Sequence, residues 1–241
     1  MTAPVTVPAV VPADWPTTEA EALAEQRRLR PLVAARGPAP EPVAGTLVAG
    51  VDVAYDDERD VVAAAAVLLD YATLEVVEEA TAVGRVAFPY LPGLLAFREL
   101  PAVTAALDAL TRSPDLVVCD GYGLAHPRRL GLASHLGVTT GLRTIGVAKN
   151  PFTFAYALPG GRRGDWTPLL DGGEEIGRAV RTREGVKPVF VSVGHGIGLT
   201  EAVTVTLALT PAFRIPETTR RADSLCRRAL AEAVAPGGTG R

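Results

Sequence analysis

Three carboxylates occupy positions that packing does not explain: Asp52 midway along VAGVDVAY, Glu99 just before a stretch of helical periodicity, and Asp120 at the end of the apolar run LVVC. A buried carboxylate without a partner is expensive, so each must be paired, hydrogen-bonded or bound to a cation. For one isolated acid, nearby backbone N–H groups or an arginine suffice. Three together point to a cluster of hard oxygen ligands, which suits Mg²⁺ held by carboxylates and substrate phosphate oxygens and does not suit zinc. Two such ions, roughly 4 Å apart, can activate water and stabilise the leaving oxygen of a phosphodiester. The chemistry this implies is metal-assisted phosphodiester hydrolysis.

Of the three histidines, His126 and His195 each follow a strand-like run in a glycine-containing loop. Loops of that kind carry many active-site groups, and a histidine there can position or deprotonate water or donate a hydrogen bond to a phosphate. His135, within GLASHLG, falls in an apolar helical segment and reads as structural. FPYLPG, residues 88–93, has prolines that restrict the backbone around Tyr90, Leu91 and Pro92. Such a loop makes a wedge for stacking beside a displaced base. A plain strand-to-helix connection with a packed tyrosine accounts for the same residues, and the two readings stand side by side.

These groups serve one site only if the chain folds them together. Thr18 followed by Glu21 has capping-box spacing and opens a helix disturbed at Pro31 and ended by Gly37. From Thr46 to Tyr55 residues alternate, with Leu47, Ala49, Val51 and Val53 on one face and Asp52 on the other. DDERD is a turn, VVAAAAVLLD is a strand covered on both faces, and TLEVVEEATAV is a third, more exposed strand. Leu100, Val103, Leu107 and Leu110 then form a helical stripe with Pro101 in the first turn. SPDLVVCD, TIGVAK and PVFVSVGH read as short strands, PRRLGLASHLGV as a helix or turn, LTEAVTVTLALT as a helix, and Arg221 to Val234 as a closing helix. LPGGRRGDWTPLLDGGEEIG reads as an excursion with tight glycine turns. A meander followed by alternating strands and helices predicts an α/β domain with a mixed sheet. If the first strand is central and the strand ending at Asp120 lies beside it, Asp52 and Asp120 become neighbours and the start of the next helix can lay Glu99 over them.

A chain of 241 residues with 48% hydrophobic residues suits one large domain, expected over residues 17–234, with flexible extensions at 1–16 and 235–241. Cys119 and Cys226 have neither disulfide nor zinc spacing, and no leader-like or membrane-spanning run is found, so a cytoplasmic protein with no membrane partner is expected. The net charge of −3 counts mildly against nucleic acid as a whole-molecule partner, although Arg128, Arg129, Arg162, Arg163 and the arginines near the end are local candidates. No GxGxxG or Walker loop follows any strand, which leaves a nucleotide-cofactor enzyme little support.

YLPGLLAFRELPA, VVCDGYGLAHPRRLGLASHLGV, TIGVAK, VSVGHGIGLTEAV and RIPETTRRAD, with VAGVDVAY, resemble in order and spacing the motifs of the endonuclease V family, the deoxyinosine 3′ endonucleases, over roughly residues 20–228. The resemblance implies a ribonuclease H-like fold and Mg²⁺-dependent nicking, with Mn²⁺ as substitute, of inosine-containing DNA at the second phosphodiester bond 3′ to the lesion. On it, Asp52, Glu99 and Asp120 match the metal-binding acids and His195 a histidine near the metal. His126 matches a histidine of the lesion loop, Tyr90 with Leu91 and Pro92 the wedge, Gly121 and Gly123 the pocket for the flipped base, and Lys149 a lysine meeting a phosphate. Two departures stand out. Tyr122 replaces a histidine common in relatives, and Gly196 replaces a lysine or arginine, a charge that Arg162 or Arg163 is expected to supply.

The reading is therefore a DNA repair nuclease, expected to be a monomer. An endoribonuclease acting on inosine in single-stranded RNA and a lesion-binding module that does not cut are its rivals. Competition between matched DNA and RNA strands separates the first rival, and retention of all three acids argues against the second.

Overall fold

The structure, a computed structural model, describes residues 11–235. Of the extensions expected at residues 1–16 and 235–241, residues 1–10 and 236–241 lie outside the described residues. Strands β1 (Leu47–Asp56), β2 (Val61–Asp70) and β3 (Val76–Arg85) form the meander, and β4 (Leu116–Cys119) lies parallel beside β1. β5 (Thr144–Ala148) continues parallel, and β8 (Val189–His195), β7 (Glu174–Val180) and β6 (Trp166–Asp171) complete an eight-stranded mixed sheet in the order β3-β2-β1-β4-β5-β8-β7-β6.

Both faces are covered. In β2, Ala65, Val67 and Leu69 join the core that includes Ala202 and Val203 of α4 (Leu199–Ala208) and Ala222 and Leu225 of α5 (Glu217–Val234). Val62, Ala64, Ala66 and Leu68 join the opposite core with α2 (Leu95–Asp108) and α3 (Leu132–Thr140). A strand alternating between two dry faces reads as continuously apolar, which is why VVAAAAVLLD shows no period of two. β1 obeys the same parity: Val48 faces the α4/α5 side, so Asp52 does too. A Cβ on Gly50 would lie 2.2 Å from the backbone of Thr218, so this glycine lets the first turn of α5 rest directly on the strand two residues before Asp52.

Four expectations are corrected. The helix expected after FPYLPG begins at Leu95, so Glu99 lies inside α2 and Pro101 sits beyond the first turn. Proline there leaves the Phe97 carbonyl without its helical donor, and the Trp15 indole N–H supplies one at 2.8 Å. Trp15 also stacks on His135 at 5.9 Å, so residue 15 is anchored on the core rather than part of a flexible extension. The segment expected as an excursion is the β6–β7 hairpin at the sheet edge, joined by Gly172 and Gly173 at φ 61° and 86°. A two-residue turn with both φ positive is the glycine-demanding hairpin type, and the strand character of WTPLLD is masked by its own proline on an edge strand. The closing helix also starts earlier than expected, at Glu217. The α1 helix (Glu19–Leu29) carries the capping box anticipated from Thr18 and Glu21, followed by a single 3₁₀ turn through Pro31.

Candidate metal and nucleic-acid site

β1, β4 and β5 all point the same way, and β4 and β5 end beside the middle of β1, so Asp52 and the residues just past β4 and β5 gather at one place on the α4/α5 face. Asp52 continues the register row after Val51 and Cys119, and Asp120 is the next residue of β4's chain. Lys149 follows β5 directly. Its ammonium bonds the Asp120 carboxylate and lies 4.0 Å from Oδ2 of Asp52. Both carboxylates therefore sit around one nitrogen, within the roughly 8 Å that a shared ion or ion pair allows. Oδ1 of Asp52 accepts the N–H of Val53 at 2.8 Å, whereas Oδ2 is buried and accepts no hydrogen bond.

The electrostatics follow from this crowding. Burial, then the charge of Asp120, pushes the Asp52 carboxyl up to about 7 despite the opposing pull of Lys149. Burial opposes the Lys149 charge too, but its hydrogen bond to Asp120 and the charges of Asp120, Asp52 and Asp223 prevail and hold the ammonium above the usual lysine value. Glu99 comes from the other face, on α2, where its Oε1 accepts the Tyr55 hydroxyl at 3.0 Å. It is almost fully buried, and burial with the charges of Asp52 and Asp120 raises it to about 8 even though Tyr55 and Arg98 favour its charged form. Among the described residues no three His, Cys, Asp or Glu side chains close into a complete ion cage. An orphaned carboxylate oxygen, a second carboxylate beside it and a third within electrostatic reach are what a hard divalent cation that keeps waters and takes substrate oxygens would complete.

Asp223, on α5, was given no role from the sequence. Its charge acts on both Asp52 and Lys149, and Arg227, hydrogen-bonded to it at 2.9 Å, then Lys149, hold its carboxyl below the usual range. The signal was one of the two acids in RIPETTRRAD, among arginines that read as a basic surface.

His195 is not brought to the acids. It pairs with Thr144 at the start of β5, whereas Lys149 follows the end of that strand, five residues or roughly 16 Å further along. Its Nδ1 accepts the N–H of Ala34 at 3.2 Å. β8 runs antiparallel to β5, a direction the sequence pattern does not encode, so the end of VFVSVGH lies at the far edge of the sheet. Gly196 stands at φ 70°, a left-handed conformation, with Cγ of Arg143 3.2 Å from where its Cβ would be. The cation beside this position is therefore Arg143. Arg163 is committed instead to the carbonyls of Thr182 and Leu207, and Arg162 lies in the turn closed by Asp165.

The loop from Asp120 to His126 is fixed by its backbone. Gly123 donates to the Ser192 hydroxyl at 2.9 Å, and a Cβ there would lie 1.9 Å from the Val193 carbonyl, so close packing on β8 requires this glycine and its N–H is already spent. Gly121 has room at ordinary contact from Leu132. Tyr122 donates its hydroxyl to the Asn150 carbonyl, stacks on Phe152 at 5.9 Å and meets Phe154 edge-on at 5.4 Å. His126 is buried with both ring nitrogens engaged: Nδ1 accepts the N–H of Arg128 at 3.2 Å, which leaves Nε2 to donate to the Gly93 carbonyl at 3.0 Å. Burial, then the Arg128 charge, lowers it to about 4, so the ring is neutral. The Gly93 carbonyl also accepts from Gln26 at 3.0 Å and Arg128 at 2.6 Å. His126 therefore joins two loops and has no nitrogen left for a ligand. Tyr90 projects from the loop so anchored, 67% exposed, with Pro92 exposed and Leu91 half-buried against the cluster that includes Phe88 and Phe97.

The pattern of the endonuclease V family matches residues 28–224. A Streptomyces avermitilis protein named endonuclease V is 70% identical over 225 residues, 93% of this chain and 98% of that protein. The crystal structure of an endonuclease V from the same organism superposes with a TM-score of 0.91 at 69% identity, covering 95% of this chain and 100% of that one. A Ciona intestinalis endonuclease V, solved with a 24mer DNA containing an inosine followed by a ribo-adenosine, gives a TM-score of 0.77 at 28% identity over 88% and 98% of the two chains.

Proposed function

We propose, from the premise that this chain belongs to the endonuclease V family, that it nicks inosine-containing DNA at the second phosphodiester bond 3′ to the lesion. It has the mixed α/β sheet of a ribonuclease H-like nuclease acting on DNA. The observation that carries the reading at the level of atoms is the convergence of Asp52 and Asp120 on one ammonium with Oδ2 of Asp52 left unsatisfied.

Asp52, Asp120 and Glu99 are the residues that would hold a divalent cation, Mg²⁺ or in its place Mn²⁺, together with phosphate oxygens of the substrate. When bound, the cation supplies Lewis-acid polarisation of the phosphate and a more acidic water. In the protein alone Lys149 neutralises the pair; once the acids are otherwise occupied, its ammonium is released to donate to a phosphate oxygen. Tyr55 occupies Oε1 of Glu99, so Oε2 is the atom that would serve the cation. Arg128, His126 and Gln26 hold the Gly93 turn, so Tyr90, Leu91 and Pro92 meet the strand as a preset wedge. Tyr122, stacked on Phe152, stands in the loop proposed to read the displaced base, with Gly121 as its open backbone position. His195 has no part in this chemistry.

Incubation of the protein with Mg²⁺ and an end-labelled duplex bearing one inosine should give a single nick, absent with Asp52→Ala and absent on the matched adenine duplex. Parallel arms with a ribonucleotide after the inosine and with single-stranded RNA rank the sugar preference, which contacts to the 2′-hydroxyl decide. Cleavage of RNA alone would replace the DNA reading, and no cleavage of any strand would end it.

A further inference from the structure

Arg214, in the loop between α4 and α5, makes no ion pair among the described residues and spends its guanidinium on backbone carbonyls. Nε donates to Lys187 at 2.9 Å, and Nη2 donates to Pro188 at 2.8 Å and to Lys149. These carbonyls flank one place in the sheet. The ladder between β5 and β8 includes Ala148 paired with Phe190, so Lys149 is the first residue past the end of β5, and Lys187 and Pro188 are the last before β8. Residues just beyond a ladder have lost their sheet partners and are free to fray. Lys149 cannot be allowed to fray, because its long side chain carries the charge that lies between Asp120 and Asp52. The next residue, Asn150, offers the carbonyl that receives the Tyr122 hydroxyl. One guanidinium therefore pins the point from which both the acid cluster and the aromatic loop are reached.

We propose that Arg214 is a positioning residue for Lys149, gripping the carbonyls of Lys149, Lys187 and Pro188 and so fixing where the Lys149 ammonium stands. The chemistry demands arginine. Its planar fork presents several N–H donors in a fixed pattern, whereas a lysine ammonium is a rotating point charge on a flexible stem. Because the carbonyls lie in two segments adjacent only in space, the contact acts as a staple across the mouth of the sheet. The role in catalysis rests on the reading of the acid cluster as a nuclease centre; the role in holding Lys149 does not.

The chain has only two lysines, Lys149 and the exposed Lys187, which permits a direct test in the full-length protein. The rate at which an amine-acetylating reagent labels each is read by peptide mass spectrometry without substrate, for the native protein, Arg214→Ala and Arg214→Lys. Lys149 should label roughly tenfold faster in both variants with Lys187 unchanged, because freeing the backbone releases the ammonium from its carboxylates. An unchanged Lys149 rate in Arg214→Ala overturns the proposal, and a native rate in Arg214→Lys overturns the fork as its cause. Single-turnover nicking then reads the consequence. Arg214→Ala should lower the maximal single-turnover rate constant roughly thirtyfold with the half-saturating concentration nearly unchanged, and Lys149→Ala with Arg214→Ala should be no slower than Lys149→Ala alone. Additive losses would show that Arg214 acts by another route. If Arg214→Ala does not fold, as read by circular dichroism, Arg214→Lys carries both measurements. Failure of the native protein to nick inosine DNA would defeat the nuclease reading while the labelling result still decides Arg214.

Discussion

Asp52, half-buried with one oxygen fully enclosed, and His126, buried, are both polar side chains of one domain, and the fold treats them in opposite ways. Around His126 each ring nitrogen has one partner, and the Gly93 carbonyl it joins collects three donors. Around Asp52 one carboxylate oxygen is buried with no hydrogen bond, a second acid crowds it, and the compensating charge belongs to a lysine 4.0 Å away. A satisfied network rigidifies, whereas an unsatisfied one raises the energy of the folded chain until something completes it. The contrast separates residues that build the site from residues that await a ligand, which residue type alone does not do.

The contrast breaks most sharply under substitution of the acids. Asp52→Asn and Asp120→Asn should each reduce nicking by about a thousandfold, equivalent to ~4 kcal/mol of transition-state stabilisation. Asp52→Asn should leave the melting temperature in chelator unchanged or higher, since it relieves a crowded negative charge. A large loss of stability in Asp52→Asn without cation would mean that the cluster is a structural network after all. At the other region the order reverses: His126→Ala should cost about 3 kcal/mol in stability through two lost hydrogen bonds and a buried void, measured by urea denaturation, and lose activity only as the Gly93 turn loosens.

The two regions should also titrate in opposite senses. His126 is held near 4 in the folded chain and returns to about 6.5 when unfolded, so the unfolded state takes up a proton first as pH falls. Its contribution is present above pH 6.5 and is lost toward pH 4, on the order of 3 kcal/mol. Asp52 and Glu99 behave inversely. Unfolded they release protons near 4, folded they keep them to about 7 and 8, so without cation stability falls as pH rises through that interval. His126→Phe should flatten part of the acid limb of a stability–pH profile and Asp52→Asn part of the neutral limb. Identical profiles for the two variants would remove the distinction.

What was legible in the sequence follows the same division. Alternation in VAGVDVAY and the apolar run LVVC marked both segments as strands carrying an acid, because these are local signals, whereas their lying side by side entered only as a condition and is settled by pairing across the sheet. Glu99 was found but put outside its helix, since Leu94 at the N-cap supplies no side-chain hydrogen bond and Pro101 has its missing bond replaced by a tryptophan far earlier in the chain. His195 was misplaced because the direction of β8 is set by pairing across the sheet. Asp223 and Arg214 were missed because their importance lies wholly in what α5 and its preceding loop come to rest against.

Tyr90 gives the smallest effect and the finest test of the comparison, because it belongs to the satisfied region by its anchor and to the unsatisfied one by its ring. Its loop is held through Gly93, yet the side chain is 67% exposed and no aromatic ring packs on it among the described residues. An exposed aromatic on a rigid turn gains nothing for the fold, so Tyr90→Ala should leave the melting temperature within about 1 °C. A stacked base is worth roughly 1–3 kcal/mol, so the same change should slow nicking of duplex DNA about tenfold. The defect should shrink when the inosine lies in a mismatch or single strand, where less unstacking is required. An equal defect on all substrates would make Tyr90 a general contact rather than a wedge, and a loss of stability would return it to the packed tyrosine of the plainer reading.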